Sequence, residues 1–141
     1  MTSDPTASPA PDATSKVMHI GEVAARTELS LRSLRHWDEV GLLSPSGRTD
    51  GGFRLYTETD VEKILVIRRM KPLGFTLEQM SAAMRDLETL RDTTSGTDLR
   101  QVARQRLVDI LADATERRER LDRQLAMADE FISQLGQQLS T

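Results

Sequence analysis

The chain has 141 residues, which allows one modest domain and an extension but not two full domains. It contains no cysteine, which excludes disulfides, thiolate zinc sites, iron–sulfur ligation and a cysteine nucleophile together. Aromatic residues are 4 %, charged residues 29 % and the formal net charge is −3, a balance suited to small helical units and mildly opposed, as a sum, to nucleic-acid binding.

The distribution of charge matters more than the sum. Residues 1–16 are rich in Pro, Ser, Thr and Ala and lack hydrophobic periodicity, so they are expected to form a disordered leader. No run is apolar enough to cross a membrane, and no signal-peptide core follows Met1. Beyond this leader the proposed head carries Arg26, Arg32, Arg35, Arg48, Arg54, Arg68, Arg69 and Lys71, while many carboxylates lie in helix starts and the tail.

Residues 20–43 predict two short helices. Ile20, Val23 and Ala24 keep the spacing of one helix face. Thr27-Glu28-Leu29-Ser30 breaks the pattern, and Ser30 is placed to cap the next helix. That second helix carries Leu31, Leu34 and Val40 on one side and Arg32, Ser33, Arg35 and His36 on the other. Gly41 is expected to end it in a left-handed C-terminal cap. Two short helices joined by a tight turn, the second with a basic and aromatic outer face, outline a helix-turn-helix. Leu42–Pro45 and Phe53–Tyr56 around a Gly/Asp-rich turn then predict a small hairpin, or wing, offering Arg48, Arg54 and Tyr56.

A third helix is expected from Glu58 to about Lys71, with Thr57 as N-cap, Asp60 completing a capping box and Pro72 stopping it. Its stripe is Val61, Ile64, Leu65 and Arg68, widened by Ile67 and Met70. Thr76 and Gln79 form a second capping-box pattern, opening a fourth helix from Leu77 to about Leu90. After a polar linker at residues 92–96, a long helix begins near Thr97. Its apolar positions Leu107, Leu111, Ala114, Leu121, Leu125, Ala128, Ile132, Leu135 and Leu139 follow steps of four and three, broken only by Arg118. Such a heptad seam predicts a homodimeric coiled coil, because so long a helix cannot bury it on so small a head. The alternative, a helical hairpin folded on itself, lacks a Pro or Gly between Gly96 and Gly136 at which to turn.

Four stretches in colinear order carry a family resemblance: Ile20–Ala24, Ser33–Leu43, Gly52–Tyr56 and Ile67–Met80. Together they resemble the signature blocks of the MerR-type transcription regulators over about half of the chain. The resemblance implies a mainly α fold: a winged helix-turn-helix DNA-binding domain over 17–90, with a small β wing, and a coiled-coil dimerisation helix over 97–139. It assigns DNA contacts to Arg32, Ser33, Arg35, His36 and Trp37 on the recognition helix. Arg48, Arg54 and Tyr56 in the wing, and Lys71 near the second wing formed by the third and fourth helices, become phosphate contacts.

The implied partners are the double-stranded DNA of a promoter operator, a second copy of the chain and RNA polymerase, with no membrane. The implied setting is the cytoplasm and nucleoid of a cell without a nucleus. The implied mechanism is distortion of an over-long or out-of-phase promoter spacer by a dimer bound to an inverted repeat. Metal-sensing members use cysteines, and drug-sensing members add a C-terminal domain. The resemblance therefore points to a short form, with no cofactor expected and its effector unassigned.

The chain departs from the family pattern in three places. His36 and Trp37 stand where two tyrosines are usual, Phe53 replaces a common tyrosine, and Glu28 occupies a turn position usually held by glycine. A side chain there must adopt the turn conformation at some cost, so a slightly altered turn is expected. His19, His36, Asp38 and Glu39 are the one conceivable metal cluster, and two histidines without cysteine make a poor one. No nucleophile–base pairing, phosphate-cradling loop or dinucleotide fingerprint is present, so an enzyme is not expected. Two readings compete with a regulator. A nucleoid-type architectural protein would bind DNA without selectivity, and a coiled-coil adaptor would not depend on Arg35.

Overall fold

The computed structural model describes residues 16–141, so the expected leader lies almost wholly outside the described residues. The elements run β1 (Met18–His19), α1 (Ile20–Thr27), α2 (Leu31–Glu39), β2 (Gly47–Arg48), β3 (Arg54–Tyr56), α3 (Glu58–Met70), a 3-10 turn (Lys71–Leu73), α4 (Leu77–Arg91) and α5 (Thr97–Leu139). The chain divides into two compact units at Arg69/Met70, ahead of the domain boundary expected near residue 90.

In the first unit, a three-stranded antiparallel sheet in the order β1-β3-β2 stands beside the helices. Met18 pairs with Tyr56 and His19 with Leu55 on one edge of β3; Gly47 pairs with Leu55 and Arg48 with Arg54 on the other. The hairpin was expected, but its first arm is Gly47–Arg48 rather than Leu42–Pro45. Leu42 and Leu43 instead complete the end of α2. The Gly41 N–H donates to the Asp38 carbonyl and the Leu42 N–H to the Trp37 carbonyl, a Schellman closure made possible by the positive φ of Gly41. Both leucines are consequently buried.

The core of this unit is Met18, Val23, Leu34, Trp37, Tyr56, Val61, Ile64 and Ile67. Full burial of such a side chain contributes about 1.5–3 kcal/mol. The apolar face of α2 is thus Leu34 and Trp37, one turn apart. Leu31 and Val40, expected on that face, are each 38 % exposed, and Val40 lies past the last helical residue. On α3, Leu65 is half-buried and Arg68 exposed, so the buried stripe is Val61, Ile64 and Ile67.

The caps follow the sequence closely. The Ser33 N–H donates to Ser30 Oγ, and Thr57 and Asp60 exchange both bonds of a capping box. Glu28 takes φ 57°, ψ 33°, the left-handed conformation. The turn between α1 and α2 is therefore made as a glycine would make it, contrary to the expected change of geometry, and the side chain carries a cost on the order of 1 kcal/mol.

In the second unit, Lys71–Leu73 ends at Gly74, whose φ is 81°. Thr76 and Gln79 form the expected capping box at the start of α4. Helix α4 packs against the first third of α5, where Met80, Ala83 and Ala103 are buried. From Thr97 to Leu139 α5 is one unbroken helix of 43 residues. At 1.5 Å per residue this is about 64 Å.

Candidate DNA-binding surface

Helix α2 presents Arg32, Arg35 and His36 to solvent, and with Glu39 these side chains line an open hollow. The face arises from periodicity: once Leu34 and Trp37 are committed to the core, residues 32, 35, 36 and 39 are turned outward. Ser33, expected among the contacts, is half-buried, and its hydroxyl and amide are both engaged with Ser30 at the helix start.

Beside this face the wing is fastened through Asp38. Its Oδ2 accepts from Arg54 Nε at 2.7 Å and from Arg48 Nη2 at 2.7 Å. The carboxylate is 9 % exposed, while Arg48 and Arg54 are 46 % and 23 % exposed. Burial pushes the Asp38 carboxyl upward, but the hydrogen bonds from Arg54 and Arg48 outweigh it and hold the group below its ordinary value. Two guanidiniums on one carboxylate leave a net positive charge at the junction of α2 and the wing. Asp38 had been weighed only as part of a conceivable metal cluster; its oxygen is spent on arginines, and among the described residues no group of His, Asp and Glu is arranged to hold a metal.

A second tie secures the base of the wing. Asp60 Oδ2, besides capping α3, accepts from the Ser46 N–H at 3.0 Å and from Ser46 Oγ at 2.6 Å. The pattern Thr57–Asp60 revealed the cap, but nothing in the spacing revealed the bond to Ser46.

Two of the residues expected at the DNA surface lie elsewhere. Trp37 is 3 % exposed, because position 37 falls one turn after Leu34 on the inner face of α2. Tyr56 is 1 % exposed, and its hydroxyl is the one buried side-chain oxygen or nitrogen without a hydrogen-bond partner among the described residues. Burial pushes the pKa of that hydroxyl up. The expectation that these two rings reach DNA is corrected: both support the surface from within. Lys71 is exposed at the start of the 3-10 turn in the second unit.

Two short helices with a tight left-handed turn, a capped and cationic second helix, and a β wing bonded to that helix define a winged helix-turn-helix. Residues 18–87 match the family model described as MerR HTH family regulatory protein. The HTH-type transcriptional regulator YfmP of Bacillus subtilis is 35 % identical over 116 residues, covering 82 % of this chain and 80 % of YfmP. Nodulation protein NolA of a Bradyrhizobium species is 37 % identical over 114 residues; the match takes in 81 % of this chain but only 46 % of NolA, so the chain spans about half the length of that relative. A crystallised MerR family regulator from Bacillus thuringiensis shares the fold, with a TM-score of 0.66 at 17 % identity over 84 % of this chain and 99 % of that one. The chain belongs to the MerR family of DNA-binding transcription regulators. Among these relatives YfmP is a transcriptional regulator rather than an enzyme.

Proposed function

We propose that the protein binds an inverted-repeat operator in a promoter spacer as a homodimer and controls transcription by distorting that DNA. The observation that carries this reading is the exposed Arg32–Arg35–His36 face of α2 flanked by a wing whose arginines are bonded to the same helix. Set in the major groove, Arg35 offers a planar fork to guanine and His36 meets a base edge or phosphate. Arg48, Arg54 and Lys71 meet phosphates, which set the register without selecting sequence. DNA binding thus belongs to residues 17–90 and dimerisation to 97–139, with RNA polymerase as the partner at the realigned promoter and the cytoplasm as its place. Among the described residues no helix is long and apolar enough to cross a membrane.

The dimer is supported by the seam of α5. Leu125, Ile132 and Leu139 are 60 %, 66 % and 78 % exposed in the single chain, more apolar surface than a soluble rod leaves uncovered. The seam also favours one orientation. In a parallel pair Arg118 meets its own copy, a like charge in the core, and Ala114 and Ala128 leave gaps. In an antiparallel pair Leu107 lies opposite Leu139, Leu111 opposite Leu135, Ala114 opposite Ile132, Arg118 opposite Ala128 and Leu121 opposite Leu125. Large then faces small in the layers that would otherwise clash or gape.

A footprint of the purified chain on the DNA upstream of its own gene tests the proposal. Protection of a palindrome within a promoter spacer is expected. Uniform coverage would favour the architectural reading, and no protection at moderate salt would favour the adaptor.

A further inference from the structure

The second unit holds a cleft of about 240 Å³ between α4 and α5, floored by Phe75, Ala83 and Ile110 and edged by Asp86, Asp109 and Asp113. Its volume lies just below that of drug-sized ligand sites, roughly 300–1,000 Å³, which suits a smaller ligand, and its make-up is typical of them: an apolar floor with a few polar groups. The charge of the edge sets what the cleft takes. Asp86 is buried and clasped by Arg106, whose Nε and Nη2 reach its two oxygens at 2.9–3.2 Å. That pair is neutral and closed. Among the described residues Asp109 accepts only a long 3.4 Å bond from Gln105, a neutral amide.

Asp113 is paired with a cation that the chain itself supplies. Arg117 Nε donates to Asp113 Oδ1 at 2.9 Å, Arg117 Nη1 donates to the Leu73 carbonyl at 3.0 Å, and the guanidinium carbon lies 4.2 Å from the centre of the Phe75 ring. A carboxylate, a carbonyl and an aromatic face converging on one positive group is the recognition pattern for an organic cation. Arg117 occupies it as a half-buried side chain, 21 % exposed, and its displacement would leave Asp109 and Asp113 without a cation.

We propose that this cleft binds a small organic monocation bearing one ring or branched alkyl group, its ammonium replacing the Arg117 guanidinium over Phe75. An anion of the same shape meets two carboxylates and no uncommitted cation there, because Arg106 is spent on Asp86. The site lies wholly within the second unit and does not depend on how the chain meets DNA.

The test is titration of the full-length chain with benzyltrimethylammonium and, separately, with phenylmethanesulfonate, read by amide chemical shifts of Phe75, Ala83 and Ile110. The cation is expected to shift these signals with saturation in the millimolar range or tighter, and the sulfonate to leave them unmoved. Arg117→Gln, which removes the resident competitor, is expected to tighten binding of the cation about tenfold, and Asp109→Asn, at an exposed position, to weaken it about fivefold. Equal responses to both probes, no response at these amides because a partner chain fills the cleft, or unchanged or weaker binding in Arg117→Gln would overturn the assignment.

Discussion

Asp38 at the end of α2 and Arg54 in the returning strand of the wing share a 2.7 Å hydrogen bond, and that bond ties the helix to the wing. The carboxylate is mostly buried and takes Arg48 on the same oxygen, so removing it leaves two positive charges side by side. Asp38→Ala is expected to lower unfolding free energy by about 1.5–3 kcal/mol, the scale of hydrogen bonds to charged groups. It should also release the wing. Binding to random duplex at low salt is then expected to strengthen, while discrimination for the operator falls. Chemical denaturation and a pair of DNA titrations measure the two effects. Unchanged selectivity would separate the wing from the reading of sequence.

The same carboxylate should govern the acid response of the wing. Its folded pKa lies below its ordinary value, so its contribution to stability is complete above the unfolded value of about 3.9 and is lost as pH falls through the folded one. The wing should therefore stay closed through the ordinary aspartate range and open only below it. In the double variant Arg48→Gln/Arg54→Gln the opposing effect of burial is left unanswered. The Asp38 carboxyl should then titrate above its ordinary value. Carbon-detected NMR titration of the side chain reports both midpoints.

Arg32 and Arg35 offer a cleaner separation of roles. Both are exposed and neither supports the core, so Arg35→Ala should leave unfolding unchanged within about 0.5 kcal/mol. If Arg35 reads guanine, its loss costs about 1–3 kcal/mol of operator affinity and relaxes selectivity at one base pair. A phosphate contact by Arg32 would instead weaken all duplexes alike and reduce the salt slope by about one. Titrations at several salt concentrations on matched and mismatched duplexes distinguish the two.

Most of the fold was legible because it rests on local rules. Ser30, Thr57 and Thr76 announced three helix starts, Gly41 and Pro72 two endings, and the seam from Leu107 to Leu139, broken only at Arg118, one long helix. Non-local facts escaped. The strand at Met18–His19 is two residues long and exists only because β3 pairs with it, so no alternation announced it. Pairing with Arg54 likewise, and not any pattern at Leu42–Pro45, places the first arm of the wing. Arg48 and Arg54 were legible as cations of the wing, but the carboxylate that holds them lies ten and sixteen residues away, a distance that spacing does not resolve. Trp37 and Tyr56 misled for one reason: amphipathic rings look equally suited to a wet surface and a core, and only their burial in the folded unit decides.

Glu28 carries a cost that a single substitution should recover. Its left-handed backbone is the one positive φ outside glycine among the described residues. The side chain offers little in return: a 3.5 Å contact with Arg68 between two exposed groups. Glu28→Gly is expected to raise unfolding free energy by about 0.5 kcal/mol, the relief of left-handed strain less the added freedom of the unfolded chain. Thermal unfolding at fixed protein concentration measures it. A loss of stability would mean that the glutamate makes up its backbone cost through Arg68.

Tyr56 provides the sharpest test of a corrected expectation. A ring that contacts phosphate through its hydroxyl loses affinity when the oxygen is removed. A ring buried with its hydroxyl unpaired loses nothing, since that oxygen was desolvated without compensation. Tyr56→Phe is therefore expected to hold stability or raise it by about 1 kcal/mol, with operator affinity unchanged. Tyr56→Ala should instead cost about 3–5 kcal/mol, since it empties a site between β3 and the helices. Denaturation and operator titration of both variants give the answer. A tenfold loss of affinity in Tyr56→Phe, with stability intact, would place the hydroxyl on the DNA after all and require β3 to turn outward when the duplex binds.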